Sequence, residues 1–444
     1  MITILKQPNK YTPASNPVIF QMNSNDPAIQ FFQVQVLADD NSVIVSLRLF
    51  TTPDNRTGSY TDLSGILSNV VDYQLLVTPN MVDNPSKLIQ AYKLKITEKL
   101  YTEHGIIDGV TITTNLFYVW NAELNPVLFN AYNFNNYVIT GTTGTTAQFL
   151  TSKPNYTKVN GATSEYLYLL NDNLNDAVIS YKLYGNHTQL IGSYAISGVT
   201  LSRISRIDVS PKAISDKFVV DLTPVKFYTV QVKDLNGLNK TNLKTYTYEI
   251  PKCNRLPVEV LFANKLGGFD SFSFYAPRES VDVQKTTITR NPYVFDDAGN
   301  YTNVINGVMN PTTDTINSTS TSKYKVISAP LTDLETVWLK ELIQSPKVYV
   351  RLSNSLMYPV QITNTNYPVL QKKFSTSLMR LEIEMSAPSG IELTSVSDLN
   401  ANYNPPSIPY ITIEGYCYED ECLPTFGYVE PDSDGEAIIE DGLS

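Results

Sequence analysis

The residues that could act as acid, base or nucleophile are few in this chain and poorly spaced for the work. There are two histidines. His104 lies in Glu103-His-Gly105 and His187 in Gly185-Asn-His-Thr188, both turn-like, and no Gly-x-Ser-x-Gly elbow accompanies either. Both read as surface turn residues. The carboxylate pairs Asp39-Asp40 and Asp296-Asp297 are adjacent. On a strand such neighbours point to opposite faces, and in turns they are ordinary turn formers, unlike the facing acid and base of a glycosidase. Gly141-Thr-Thr-Gly144 has neither the lysine nor the following helix of a phosphate loop. Asp432-Ser-Asp-Gly-Glu436 carries a fragment of a calcium loop without the rest of its ligand ladder. Cys417 and Cys422 could bridge locally or hold a metal, but no second Cys or His pair completes a tetrahedral site. With Cys253 they read as unpaired thiols. The expectation is a chain with no catalytic, cofactor or metal residues.

Interface chemistry is abundant instead. Tyrosine, with 29 copies, outnumbers the 2 His, 3 Cys and 2 Trp together. Tyr and Trp bury large area at little rotamer cost, and the same rings stack on sugars. Tyr132, Phe134, Tyr137, Phe269, Phe272, Tyr418 and Phe426 are the expected interface residues. Alternate strand positions face inward, so about half of all such rings belong to a core.

The elements that must position these rings are strands. Period-two alternation marks Phe31 to Leu37 and Val43 to Phe50, joined as a hairpin, and recurs at 92–96, 110–120, 166–170, 177–184, 227–233 and 246–250. Gly267-Gly268 turns the strand at Leu261 into the alternating strand ending at Phe274, which makes a hairpin of it and not a nucleotide loop. Short β-branched and aromatic strands between Gly, Pro, Asn and Asp clusters predict an all-β fold of several antiparallel, Ig-like β-sandwiches with a few short helices. One helix is read over 61–71, with Leu63, Ile66, Leu67, Val70 and Val71 on one stripe and Thr61 or Asp62 as N-cap. A second is read over 332–344. It opens on a Thr332/Glu335 capping box, aligns Leu334, Val337, Trp338 and Leu342, and stops at Ser345-Pro346.

Breaks near 125 and at Pro251 to Pro257 divide the chain into a sandwich over 1–125, a second over 126–252 and a β-rich domain over 253–416. The segments Thr140 to Thr146 and Asp296 to Ser322 read as mobile loops. From 417 to 444 the residues are acidic without a basic partner, as expected of a flexible tail.

At 42% hydrophobic and 17% charged, the 444 residues describe folded domains over most of the length. A net charge of -10 argues against a duplex nucleic-acid binder, which needs a basic face. Met1 to Lys10 lacks the apolar run of a signal peptide, and no stretch approaches the ~20 apolar residues of a spanning helix. The expected place of synthesis is a cytoplasm, with no membrane partner.

Five phrases carry a resemblance. They are Tyr11-Thr-Pro-Ala-Ser-Asn-Pro-Val-Ile-Phe20, Gly58-Ser-Tyr-Thr-Asp-Leu-Ser-Gly-Ile-Leu67, Tyr118-Val-Trp-Asn-Ala-Glu123, Asn264-Lys-Leu-Gly-Gly-Phe-Asp-Ser-Phe272, and the Trp338 helix with Ser345-Pro-Lys-Val-Tyr-Val350. As a set they resemble structural virion proteins of tailed phages infecting Bacteroidetes, crAss-like phages included. The resemblance implies a ring or baseplate-type protein of the tail or neck, assembled in the host cytoplasm. It also implies a cyclic homo-oligomer that contacts neighbouring tail and portal-proximal proteins. A receptor- or glycan-binding tail adhesin is the alternative.

Overall fold

The computed structural model describes residues 1–141, 146–161, 163–174, 176–250, 257–295, 297–351, 357–363 and 379–386. It is all-β with short helices, as the alternation requires. Met1–Ile250 and Pro257–Leu393 form one compact unit. The acidic segment 417–444, with Cys417, Tyr418, Cys422 and Phe426, lies outside the described residues, as do Cys253 and the loop 142–145.

The N-terminal module is a sandwich. Ile2–Lys6, Ile19–Ser24 and Gly58–Asp62 form a three-stranded sheet. A larger sheet is ordered Tyr11–Pro13, Phe117–Trp120, Ile89–Thr102, Ile29–Ala38 and Val43–Phe50, with Gly105–Thr113 also paired to Ile89–Thr102. Phe20, Phe32, Val34, Leu94 and Val119 fill the space between them. The run read as one strand over 110–120 is broken at 114–116 into two. The helix read over 61–71 shrinks to one turn, α1 (Ser64–Leu67). Thr61 and Asp62 are claimed by a strand instead, and the Asp62 carboxylate accepts from the Val18 and Ser64 amides at 2.9 Å each. Leu63, Leu67 and Val71 still point into the core, whereas Val70 is exposed.

After α2 (Pro126–Asn130), the middle module packs a four-stranded sheet on a five-stranded one. Ile179, Tyr181, Ile207, Val230 and Tyr246 line its core, closed on one side by α3 (Pro211–Phe218). The break near 125 does not divide the sheets cleanly. Val82–Asp83, from the N-terminal segment, pairs with Ile207 and Arg206 as the edge strand of a middle-module sheet. Among the described residues, parallel strand pairings join Tyr11–Pro13 to Phe117–Trp120, Val138–Ile139 to Tyr166–Asn171, and Thr157–Val159 to Lys244–Tyr248.

The third module closes six strands into a barrel around Val260, Phe262, Phe274, Val326 and Ile383. Alternation reads equally well as sandwich or barrel, because both bury every second residue. Helices α4 (Asp333–Trp338) and α5 (Lys340–Gln344) seat Trp338, Leu339 and Leu342 on the barrel core. The Thr332/Glu335 capping box is present in both directions. The stripe, however, is rotated from the one read in sequence: Leu334 and Val337 are exposed and Glu335 and Thr336 are buried. The helix is interrupted at Leu339 between α4 and α5, and the barrel core takes Trp338, Leu339 and Leu342, not the stripe through Leu334 and Val337.

Among the described residues, no helix is long and apolar enough to cross a membrane.

Candidate interface surfaces

Three strands with uninterrupted burial build an internal interface. Phe117–Trp120, Tyr166–Asn171 and Val258–Ala263 are buried at every position. In each, one face serves the module's own core and the other faces a shared junction. Phe117 and Val119 belong to the N-terminal core, while Tyr118 and Trp120 belong to the junction. Leu167 and Leu169 face the middle core, Tyr166 and Tyr168 the junction. Val260 and Phe262 face the barrel, Leu261 and Ala263 the junction. Runs buried on both faces lose the alternation expected of a half-solvated sheet.

The double-glycine turn is clamped inside this junction. Gly267 has φ +97°, and a Cβ there would stand 2.4 Å from the Asn121 carbonyl oxygen. A Cβ on Gly268 would stand 2.7 Å from the Tyr168 ring. The Asn264 side chain accepts from the Leu266 and Gly268 amides at 3.0 Å each and donates to the Leu150 carbonyl at 3.0 Å. Trp120 Nε1 donates to the Leu266 carbonyl at 3.2 Å, and the Glu123 amide donates to the Lys265 carbonyl at 2.8 Å. All three modules therefore meet on one hairpin tip.

The rings expected at a subunit interface mostly serve this junction. Phe269 is buried in it, and Phe272 is buried in the barrel core beside Trp338, with ring centroids 6.0 Å apart. Neither can reach a partner molecule, which corrects the expectation. Their positions have opposite parity on one strand, so they face different cores. Tyr132, Phe134 and Tyr137 are half-buried against the junction. Tyr132 donates its hydroxyl to the Tyr11 carbonyl at 2.6 Å, Phe134 stacks at 6.3 Å from Tyr11, and Tyr137 lies 6.5 Å from Trp120.

A buried ionic seam runs beside the junction between the middle module and the barrel. Lys153 Nζ pairs with Glu165 Oε1 at 2.5 Å and donates to the Ser271 carbonyl at 2.8 Å, and Ser271 Oγ donates to the same Glu165 oxygen at 2.5 Å. Burial pushes the Glu165 carboxyl up, against the pull of Lys153. Glu259, 3.3 Å from Arg351 Nε and bonded to the Ser164 amide, is pushed by burial up to about 7. Lys244 donates to the Lys153 carbonyl, and burial lowers it to about 8. Asp270 accepts from Trp338 Nε1 at 2.8 Å and from Thr151 Oγ1 at 2.7 Å. Each charge has a named partner, which is the arrangement of a fixed joint between domains. A second grip lies at the strap. Arg206, wholly buried, donates to the Leu76 carbonyl at 2.8 Å and to Asp83, holding the N-terminal segment against the middle module.

The exposed counterpart is an arm. Of the segment read as a loop over 296–322, residues 313–322 are instead one side of a long hairpin, with Phe269–Thr289 paired to Thr313–Ser328, and 297–312 belong to its tip. A register shift between Tyr275 and Arg278, beside Pro277, marks where it leaves the barrel. Among the described residues, the strand Thr313–Ser328 pairs on the arm side of Ser322 only with its hairpin mate, since its contact with Glu382–Ser386 is confined to Lys323 to Ile327. From Val281 to Thr289 the shaft extends nine residues, roughly 30 Å at ~3.4 Å each, exposed on both faces. The tip folds into two small ribbons, the second turned by Asn306-Gly307 at φ 52° and 80°. It presents Phe295 and Tyr301, 66% and 72% exposed, with ring centroids 4.6 Å apart. Tyr293, Val308 and Met309 are exposed beside them. The signal for this arm was legible in Ile305-Asn-Gly-Val308 and in the Thr-rich run after Thr313, but the polar composition concealed it.

His104 and His187 are both exposed in turns, the latter at φ 52°. Asp40 accepts from the amide and hydroxyl of Ser42, the behaviour of a turn former, and its carboxyl is lowered by those bonds.

No family model matches this chain, and no curated protein matches it. Among solved structures, a Salmonella alpha-2-macroglobulin mutant aligns over 82% of this chain and 24% of its own, at 8% identity and a TM-score of 0.18. The plexin A4 extracellular region aligns over 87% and 36% at 8% identity and 0.16, and latent PorU from Porphyromonas gingivalis over 73% and 32% at 10% and 0.15. The chain spans about a quarter to a third of those proteins, and at such scores the likeness carries no argument about fold or function.

Proposed function

We propose that this chain is a non-enzymatic structural component of a tailed-phage virion, part of an oligomeric ring in the tail or neck that touches adjacent virion proteins. The observation that carries the reading is the arm. A two-stranded ribbon with both faces in water and an apolar tip is marginal alone, so it calls for burial against another molecule. The three modules behind it are joined by a shared core and a paired ionic seam, which suits a part that must hold its shape under load. The phrases at Tyr11, Gly58, Tyr118, Asn264 and Ser345, which resemble those of structural virion proteins of tailed phages, support the virion reading.

A glycan-binding adhesin is favoured by one feature alone, the exposed Tyr293, Phe295 and Tyr301 rings at the tip. The test is proteomics of purified particles of a phage encoding the chain, with antibody labelling of the particle by electron microscopy. Label on the tail or neck in multiple copies supports the proposal. Absence from purified particles overturns it, and binding of the monomer to capsular polysaccharide supports the adhesin.

A further inference from the structure

We infer that the chain associates with itself head to tail, the arm tip of one copy seating on the exposed face of α4 in the next. This rests on reading the chain as an assembly subunit and names its partner.

The two surfaces lie at opposite ends of one strand. Thr313–Ser328 comes in from the arm, crosses the barrel wall at Lys323 to Ile327, and reaches α4 a few residues after Ser328. The mate strand agrees, because Asp270 at its start bonds Trp338 of α4 and its other end is the arm. On α4, Leu334 and Val337 are 69% and 54% exposed, and their i, i+3 spacing puts them on one face. Every copy thus carries an apolar projection at one end of its barrel and an apolar helix face at the other. A contact between two different patches repeated from copy to copy closes a ring or extends a filament.

Reach, charge and area agree with a second copy. The ~30 Å shaft matches the width of a module of about 100 residues, whose radius of gyration is near 13 Å. From Arg278 to Lys323 the sequence has four Lys or Arg and five Asp or Glu. Such an arm has no basic surplus to seek nucleic acid or an anionic membrane, and it is little repelled by a neighbour of charge -10. Aromatic side chains bury roughly 150 to 250 Å² each. The five tip residues at their exposures offer roughly 500 Å², against about 800 Å² for one side of a standard interface, and the shaft lying along the neighbour supplies the remainder.

The test uses two variants of the full chain, Phe295→Ser/Tyr301→Ser at the tip and Leu334→Asp/Val337→Asp on α4, followed by sedimentation over a concentration series. All four residues are exposed, and unchanged thermal unfolding of each variant checks the fold; Leu334→Ser/Val337→Ser replaces the aspartates if it changes. The wild-type chain should form species beyond a dimer, and each variant should weaken association by more than about tenfold. An equimolar mixture should give a one-to-one dimer and nothing larger, since it holds a single productive pair of tip and face. A mixture that stays monomeric shows that tip and α4 face do not pair and overturns the inference, as does an α4 variant that dimerises by itself, the mark of tip-to-tip contact. So does a wild-type chain that is monomeric at millimolar concentration, or a variant that associates like wild type. A chain that assembles in this way but is absent from virions supports the inference and removes the virion reading. A virion chain whose assembly ignores both variants does the reverse.

Discussion

Replacing Gly267 by alanine should loosen the junction that unites the three modules. Two costs add. A non-glycine residue at φ +97° pays about 1 to 2 kcal/mol in backbone strain. The new methyl also stands 2.4 Å from the Asn121 carbonyl oxygen, a backbone atom that can yield only by shifting the strand end behind it, which adds about 1 to 3 kcal/mol. Gly237 supplies the control, since it has φ +80° with nothing within 4 Å of its Cβ position, so Gly237→Ala should show the first cost alone. The expected excess of Gly267→Ala is therefore about 1 to 3 kcal/mol. At an m-value near ~3 kcal/mol/M in urea it lowers the midpoint by about 0.3 to 1 M more than the control. Tryptophan emission reads it directly: the chain has 2 tryptophans, and Trp120 Cδ1 lies 3.5 Å from the Gly267 Cβ position. A Trp338→Phe background leaves Trp120 as the sole reporter. Equal midpoints for Gly267→Ala and Gly237→Ala would show that the junction does not pack against this turn.

Three further outcomes test the joints. Glu165→Gln strands the buried Lys153 and should destabilise by about 3 to 5 kcal/mol, while Lys153→Met/Glu165→Leu should recover much of that loss; a double variant as unstable as the single would refute a balanced pair. Burial holds the Glu259 carboxyl near 7 against an ordinary 4.5, so the folded chain binds the extra proton between those values. The contribution of this group to stability is present below about pH 4.5 and lost as pH rises through 7, and Glu259→Gln should flatten that slope of thermal unfolding; an unaltered slope excludes Glu259 as its source. Arg206→Met should free the strap ending at Asp83 and speed tryptic cleavage after Lys87 by about tenfold or more, and unchanged cleavage would show that the strand pairing at Val82 holds without the guanidinium.

The strand-rich character of the chain, the hairpin at Asn264 to Gly268 and the capping box at Thr332 were legible from local pattern, because alternation, turn chemistry and capping are set by neighbours within a few residues. What a ring faces is not local. Phe269 and Phe272 sit three residues apart and enter different cores, a fact set by strands far from them in the chain. The arm was read as a loop because solvent on both faces removes the apolar alternation by which a strand is recognised. The rotated α4 stripe has the same origin, with burial chosen by the barrel beneath and not by helix period alone.

That the chain is all-β, rich in aromatic interface chemistry and poor in acid, base and nucleophile residues follows from composition and two-residue periodicity, which are properties of the chain alone. Long-range packing is what spends Phe269, Trp120 and Tyr168 around the double glycine on an internal junction, and what leaves Phe295 and Tyr301 on the arm tip and Leu334 and Val337 on α4 among the exposed apolar residues. The physical reason is that burial is a property of the assembled surface: a residue becomes core or interface only when long-range strand pairing fixes which of its two faces meets water.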